Sequence, residues 1–182
     1  MEKIMNEKKT KILVVSDNHG DHQILESLIS KYKTEVDAMF HCGDSEFSPE
    51  DKVFDYFNVV TGNCDYDPKF TEYLVSDVKE TRVLLTHGHL LSVNTGLERL
   101  NLLAQEKQAQ VALFGHTHRL GVEYAHGCLF LNPGSISYPR GEYSALGGTY
   151  AIIGVTSDQF EICYYDRSFT KVPELQFVFP RK

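Results

Sequence analysis

The sequence predicts an α/β fold in which two sheets pack together with helices outside them, all in one domain. Three observations predict it. The first half alternates short, β-branched apolar runs with amphipathic stretches of helical period. The second half places strand-like runs one after another without helices between them. A length of 182 residues suits one hydrophobic core better than two.

Taken in order, Lys11–Val15 is a short apolar run and reads as the first strand. Gly20–Lys33 reads as an amphipathic helix, because Ile24, Leu25, Leu28 and Ile29 fall on one face. Val36–Phe40 reads as a second strand, Pro49–Phe57 as a helix and Asn58–Thr61 as a third strand. Phe70–Val75 and Thr81–Thr86 form a hairpin across Ser76–Glu80. Thr95–Lys107 has helical period with Leu97, Leu100, Leu103 and Ala104 inward, and Ala109–Phe114 is a buried strand. Val122–Ala125, Cys128–Leu131, Tyr150–Val155 and Phe160–Tyr165 follow as strands. Leu175, Phe177, Val178 and Phe179 read as core, or as a patch for a second copy of the chain in a homo-oligomer. Residues 1–10 are charged and polar and read as a disordered tail, without the apolar stretch of a secretory signal.

Charge and cysteine content exclude several classes. A net charge of −7 argues against sequence-blind binding to nucleic acid or anionic lipid, although a local cationic site for phosphate stays open. No apolar run is long enough to cross a bilayer. Cys42, Cys64, Cys128 and Cys163 are widely spaced and form no CxxC pair, so neither a disulfide framework nor a structural zinc is expected, and a reducing cytoplasm is the default.

Five apolar runs each end in residues able to hold a metal. They lead into Ser16-Asp17-Asn18-His19-Gly20, His41-Cys42-Gly43-Asp44, Gly62-Asn63-Cys64-Asp65, Thr86-His87-Gly88-His89 and Gly115-His116-Thr117-His118. One such cluster is an ordinary turn or a solvated pair. Five at strand ends, where α/β folds bind ligands, point to a single centre. Carboxylate, imidazole and amide donors without thiolate suit Mn²⁺, Fe²⁺, Ni²⁺ or Zn²⁺.

The series Asp17-x-His19, Gly43-Asp44, Gly62-Asn63-x-Asp65, His87 and Gly115-His116-x-His118 resembles the calcineurin-like metallophosphoesterases. Cys64 and the segment Asn132-Pro133-Gly134-Ser135…Pro139-Arg140 make it most similar to the small phosphodiesterases of the YfcE type. The resemblance implies a four-layer αββα sandwich, two mixed β-sheets flanked by helices, with a single metallophosphoesterase domain over residues 11–182. It also implies two divalent metal ions, with manganese the first choice and nickel, iron or zinc as alternatives. One ion takes Asp17, His19 and His118, the other takes Asn63, His87 and His116, and Asp44 bridges both. Asp44, Asn63 and Asp65 are then the catalytic candidates. Two such ions bring four positive charges against two from Asp17 and Asp44, a local surplus of about two that attracts phosphate. Water held between them would be deprotonated near neutral pH and attack phosphorus in line.

Other positions carry a functional and a plain reading side by side. Cys64 stands where many members of the larger family carry histidine. Beside two cations its thiol tends toward thiolate and donates a proton poorly, or it is a small buried apolar residue. Asp65 either orients a ligand or bonds a turn. His89 contacts substrate, supports a ligand or lies idle at the surface. Arg140 holds a phosphate oxygen or makes a surface ion pair. Asn132 and Ser135 position His116 or His118, or serve a tight turn. His41 reads as a packed strand histidine. Phe47, Tyr66, Leu90–Asn94 and Tyr138 are candidates for the rim of the site. The leading function is hydrolysis of small phosphodiesters. A phosphomonoesterase or nucleotide phosphatase at the same centre, and a non-catalytic scaffold on the same fold, are the alternatives.

Overall fold

The structure, a computed structural model, describes residues 9–181. The expected tail over residues 1–8 lies outside the described residues, and Thr10 already belongs to the first strand. That strand, β1 (Thr10–Val15), is followed by α1 (His22–Tyr32), β2 (Ala38–His41) and β3 (Phe57–Val59). Then come β4 (Tyr73–Val78), β5 (Thr81–Thr86), α2 (Glu98–Glu106), β6 (Val111–Leu113), β7 (Gly121–Ala125) and β8 (Cys128–Asn132). The chain closes with β9 (Thr149–Val155), β10 (Gln159–Asp166) and β11 (Lys171–Pro180).

Two mixed sheets result. One has the order β11-β10-β9-β1-β2-β3 and the other β4-β5-β6-β8-β7. Within the first, β1, β2 and β3 run parallel; within the second, β5, β6 and β8 do. The alternation of side chains along each central strand explains the layering. Ile12 and Val14 of β1 face the second sheet and pack with Val83, Leu85, Leu113 and Leu131. Leu13 and Val15 point the other way, onto Leu25, Leu28 and Ile29 of α1. On the opposite side Leu84, Ala112 and Phe130 meet Leu100 and Ala104 of α2. The order is therefore helix, sheet, sheet, helix, as the resemblance implies. Truncating a wholly buried leucine such as Leu25 or Leu85 costs about 2–5 kcal/mol by cavity formation.

Several elements differ from expectation. Pro49–Phe57 is not an α-helix: it contains one 3₁₀ turn, Lys52–Asp55, capped by Asp51, and Phe57 already begins β3. Its apolar residues, Val53, Phe54 and Phe57, pack beneath α1 without sustaining a helical stripe. The hairpin turn is only Lys79-Glu80, because Val78 is buried and pairs with Thr81. Helix α2 starts at Glu98, three residues after the predicted Thr95. The C-terminal apolar stretch is the edge strand β11, with Leu175 buried against β10 and Val178 exposed. Among the described residues, no helix is long and apolar enough to cross a membrane.

Candidate metal centre

All five clusters meet where the parallel strands of the two sheets end. Asp17 and His19 follow β1, Asp44 follows β2, and Asn63 lies beyond β3; His87 follows β5, and His116 and His118 follow β6. The turns are tight. Asp17, His19, Asp44, His116 and His118 all adopt left-handed backbone, with φ of 54°, 44°, 55°, 68° and 59°. Asp and His tolerate that region better than most side chains, yet five instances at one place mark strain concentrated at a functional site. Gly62 permits the closest approach, since a Cβ there would lie 2.0 Å from Asp44 Oδ1.

The donor atoms fall into two groups that share Asp44. The donor atoms of Asp17, His19, Asp44 and His118 all lie within 4.8 Å of one another. In the second group, Asn63 Oδ1 is 3.1 Å from His87 Nε2 and 2.8 Å from His116 Nδ1. Asp44 Oδ2 is 3.4 Å from His87 Nε2 and 3.9 Å from His19 Nε2, so this one oxygen faces both groups. Its partner Oδ1 accepts from the Cys64 amide at 2.8 Å.

Proton positions show why a cation fits. His87 Nδ1 donates to the Cys42 carbonyl at 2.7 Å, and His118 Nδ1 to the Tyr138 carbonyl at 2.7 Å. His19 Nδ1 donates to Glu46 Oε1 at 2.7 Å. Each neutral ring therefore turns an unprotonated Nε2 toward the centre. There it meets other acceptors: His19 Nε2 lies 3.3 Å from His118 Nε2, and His118 Nε2 lies 3.2 Å from Asp17 Oδ1. Asp17 Oδ1 is buried without a hydrogen-bond partner among the described residues. Lone pairs converging on a buried carboxylate oxygen need either protons or metal ions between them. The imidazoles show the first option: the Asp17 carboxylate beside it raises the pKa of His118, and, against the opposing effect of burial, Asp44 and Asp17 raise that of His87. Burial would raise the Asp44 carboxyl, but His87, the Cys64 amide and His19 hold it well below the carboxylate range.

The remaining candidates are placed as follows. Asp65 does not reach the donor cluster. Its two oxygens accept from the amides of Asp44, Ser45, Glu46 and Gly62 and from Ser45 Oγ, stapling the Asp44 turn to the Asn63 turn. Its place among the catalytic candidates is thus corrected to that of a loop staple. Cys64 lies beside Asn63 Nδ2, and without cations at the site burial followed by Asp44 and Glu46 pushes its thiol up to about 11. His89 packs 5.3 Å from the His87 ring and 6.1 Å from that of His116. Asn132 Nδ2 donates to the Gly115 carbonyl and to Thr117 Oγ1, holding the His116–His118 turn, and Ser135 Oγ donates to the Asp17 carbonyl. Arg140 is exposed, and its amide donates to the His118 carbonyl at 2.9 Å. His41 is wholly buried between Asn18 Oδ1 and the Gly43 amide. Tyr138 lies at the rim against His19, whereas Phe47 packs on His22 and Phe54 and leaves the rim. Nothing in the sequence singles out Glu46, the partner of His19, beyond its being an acid two residues past Asp44.

Residues 10–158 match the calcineurin-like phosphoesterase superfamily domain. The chain belongs to that superfamily. A probable metallophosphoesterase of Bacillus subtilis, YsnB, is 35% identical over 165 residues, covering 91% of this chain and 96% of that one. The crystal structure of a predicted phosphoesterase from Streptococcus pneumoniae superposes with a TM-score of 0.91 at 37% identity, covering 96% of this chain and 99% of the other. The phosphodiesterase YfcE of Escherichia coli is 34% identical over 90 residues, 45% of each chain. Membership of this superfamily supports a phosphoric ester hydrolase that uses divalent metal, and the cluster of Asp17, His19, Asp44 and His118 could hold such an ion.

Proposed function

We propose that this protein is a cytoplasmic phosphodiesterase that cleaves small diesters at a centre of two divalent ions, manganese by preference, within one domain spanning residues 11–182. The observation that carries the reading is Asp44 Oδ2, a single carboxylate oxygen facing both groups of donors. Asp17, His19, Asp44 and His118 would hold one ion, and Asp44, Asn63, His87 and His116 the other. When bound, the ions neutralise charge on the phosphate oxygens and supply water activated near neutral pH.

The chain's own residues do the rest. The anchored Nδ1 atoms of His19, His87 and His118 fix ring orientation before any ligand arrives, which lowers the reorganisation needed on binding. Asp65, Asn132 and Ser135 hold the turns that carry Asp44, His116 and Asp17. With cysteine at position 64, no imidazole stands there to protonate a departing alkoxide, so the leaving oxygen takes its proton from solvent water. Four free cysteines agree with a reducing compartment.

The test is to strip the protein with chelator, reload it with Mn²⁺, Ni²⁺, Mg²⁺ or Zn²⁺, and assay aryl diesters beside monoesters. Two ions per chain and chelator-sensitive diester hydrolysis are expected. Tight metal binding without hydrolysis of any ester would make the protein a scaffold, and faster monoester cleavage would make it a phosphomonoesterase.

A further inference from the structure

A cavity of about 510 Å³ opens beside His116. Its lining combines apolar residues, Val93, Leu97 and Phe114, with two arginines, Arg119 and Arg140. That volume lies in the range of small-molecule sites, which combine apolar walls with a few polar anchors. Acidic residues outnumber basic ones by 25 to 18, yet neither guanidinium makes a hydrogen bond or ion pair with any described residue. The ion pair that sequence offers as the alternative for Arg140 does not form among the described residues.

Both arginines are tied to the donor turn. Arg119 directly follows His118, and Arg140 binds the His118 carbonyl through its amide. The stem of Arg119 lies across the Arg140 loop: a Cβ at Gly141, where φ is +84°, would come 3.3 Å from Arg119 Cγ. The scissile phosphate already has the surplus charge of a two-ion centre to meet it. Two further guanidinium forks beside an apolar wall match a second phosphate attached to a flat apolar body.

Building on the phosphoesterase reading, we propose that this cavity takes a nucleotide unit bearing a terminal phosphate, so that the preferred substrates are 5′-phosphorylated dinucleotides. The base packs on Val93, Leu97 and Phe114, and the terminal phosphate is held by Arg119 and Arg140. The reaction balances as a hydrolysis. Water oxygen bonds to the internal phosphorus and its proton passes to solvent, the bond from phosphorus to the 3′ oxygen breaks, and that oxygen takes a proton from solvent water. The dinucleotide pApA and one water give two AMP.

The experiment compares pApA with the unphosphorylated ApA on the manganese-loaded protein, on Arg119→Gln, on Arg140→Gln and on the double variant. Hydrogen bonds to charged groups contribute about tenfold each. The wild type is therefore expected to prefer pApA by about 100-fold in kcat/KM, each single variant to lose about tenfold of that ratio, and the double variant to lose the preference. A second readout needs no turnover: AMP and adenosine are titrated into the chelator-stripped protein by calorimetry. AMP should bind more tightly than adenosine, and the difference should vanish in the double variant. Equal kcat/KM for the two dinucleotides, a preference that survives the double variant, or AMP binding no tighter than adenosine overturns the assignment. Failure of the wild type to cleave any ester instead overturns the phosphodiesterase reading, and the AMP titration still decides this one.

Discussion

Asp44 concentrates the chemistry of the site into one side chain. Its Oδ1 is fixed by the Cys64 amide while Oδ2 faces both donor groups. Asp44→Asn keeps the shape but replaces a carboxylate oxygen with an amide and removes one negative charge. The expected outcome is bound metal well below two ions per chain by elemental analysis, with diester turnover down at least about 100-fold. A variant that kept two ions and full activity would remove Asp44 from the bridging position. His41 makes a separate statement about acid stability. It is neutral in the fold: Nδ1 accepts from Gly43 while Nε2–H donates to Asn18, and burial takes its pKa from 6.5 to about 4. The unfolded chain takes up this proton near pH 6.5 and the folded chain only near 4. Stability is thus intact above 6.5 and is lost as pH falls toward 4, by up to about 3 kcal/mol. Denaturant titrations of the wild type and His41→Gln across that window check this, and parallel acid limbs would refute it.

At the scale of elements, the turn after β6 sends two imidazoles to different groups. His116 joins Asn63 and His87, whereas His118 joins Asp17 and His19. His116→Ala and His118→Ala should therefore deplete different positions, which anomalous scattering at each metal position resolves; equal depletion of both by either variant would contradict the split. The elements that sequence makes legible are those whose pattern is local. Ile12 to Val15 and Val111 to Leu113 are buried on both faces, so they appear as unbroken apolar runs, and the donors stand immediately after them. Pro49–Phe57 is misread because Val53, Phe54 and Phe57 are apolar for tertiary reasons, filling space under α1. The roles of Asp65 and Glu46 are not legible, since each depends on a partner at least 19 positions away: Asp65 binds amides near Asp44, and Glu46 binds His19 across 27 residues. The left-handed turns at five donors are equally hidden, because a sequence names the side chain and not the φ it must adopt.

For the whole molecule, the centre joins two sheets that also meet through apolar packing, loops and the bonds that the Tyr164 hydroxyl of β10 donates to the Gly121 and Asn132 carbonyls of β7 and β8. Asp17, His19 and Asp44 come from one sheet, and His87, His116 and His118 from the other. Ions bound between them bind the folded state and not the separated sheets. At a free metal concentration 100 times Kd, the stabilisation is about 2.7 kcal/mol for each site. Thermal unfolding should therefore rise in temperature with added Mn²⁺ and fall with chelator. The gain should shrink below neutral pH, as His87 and His118, both raised in pKa, hold protons in place of metal. A melting temperature indifferent to both manganese and chelator would show that the sheets are not linked through this site.

Part of the wall of the cavity beside His116, from Val93 to Leu97 and at Arg140, comes from segments that contribute no donor to the centre, while Phe114 to Gly121 belong to the donor turn itself. The donors themselves sit in turns whose geometry tolerates almost no change, as the 2.0 Å clearance at Gly62 shows. Over generations this division separates two kinds of inheritance. Mutation can lengthen, shorten or respell the wall segments while the reactive chemistry passes on intact. Gene duplicates built on such a plan are free to diverge in diet long before they could diverge in trade.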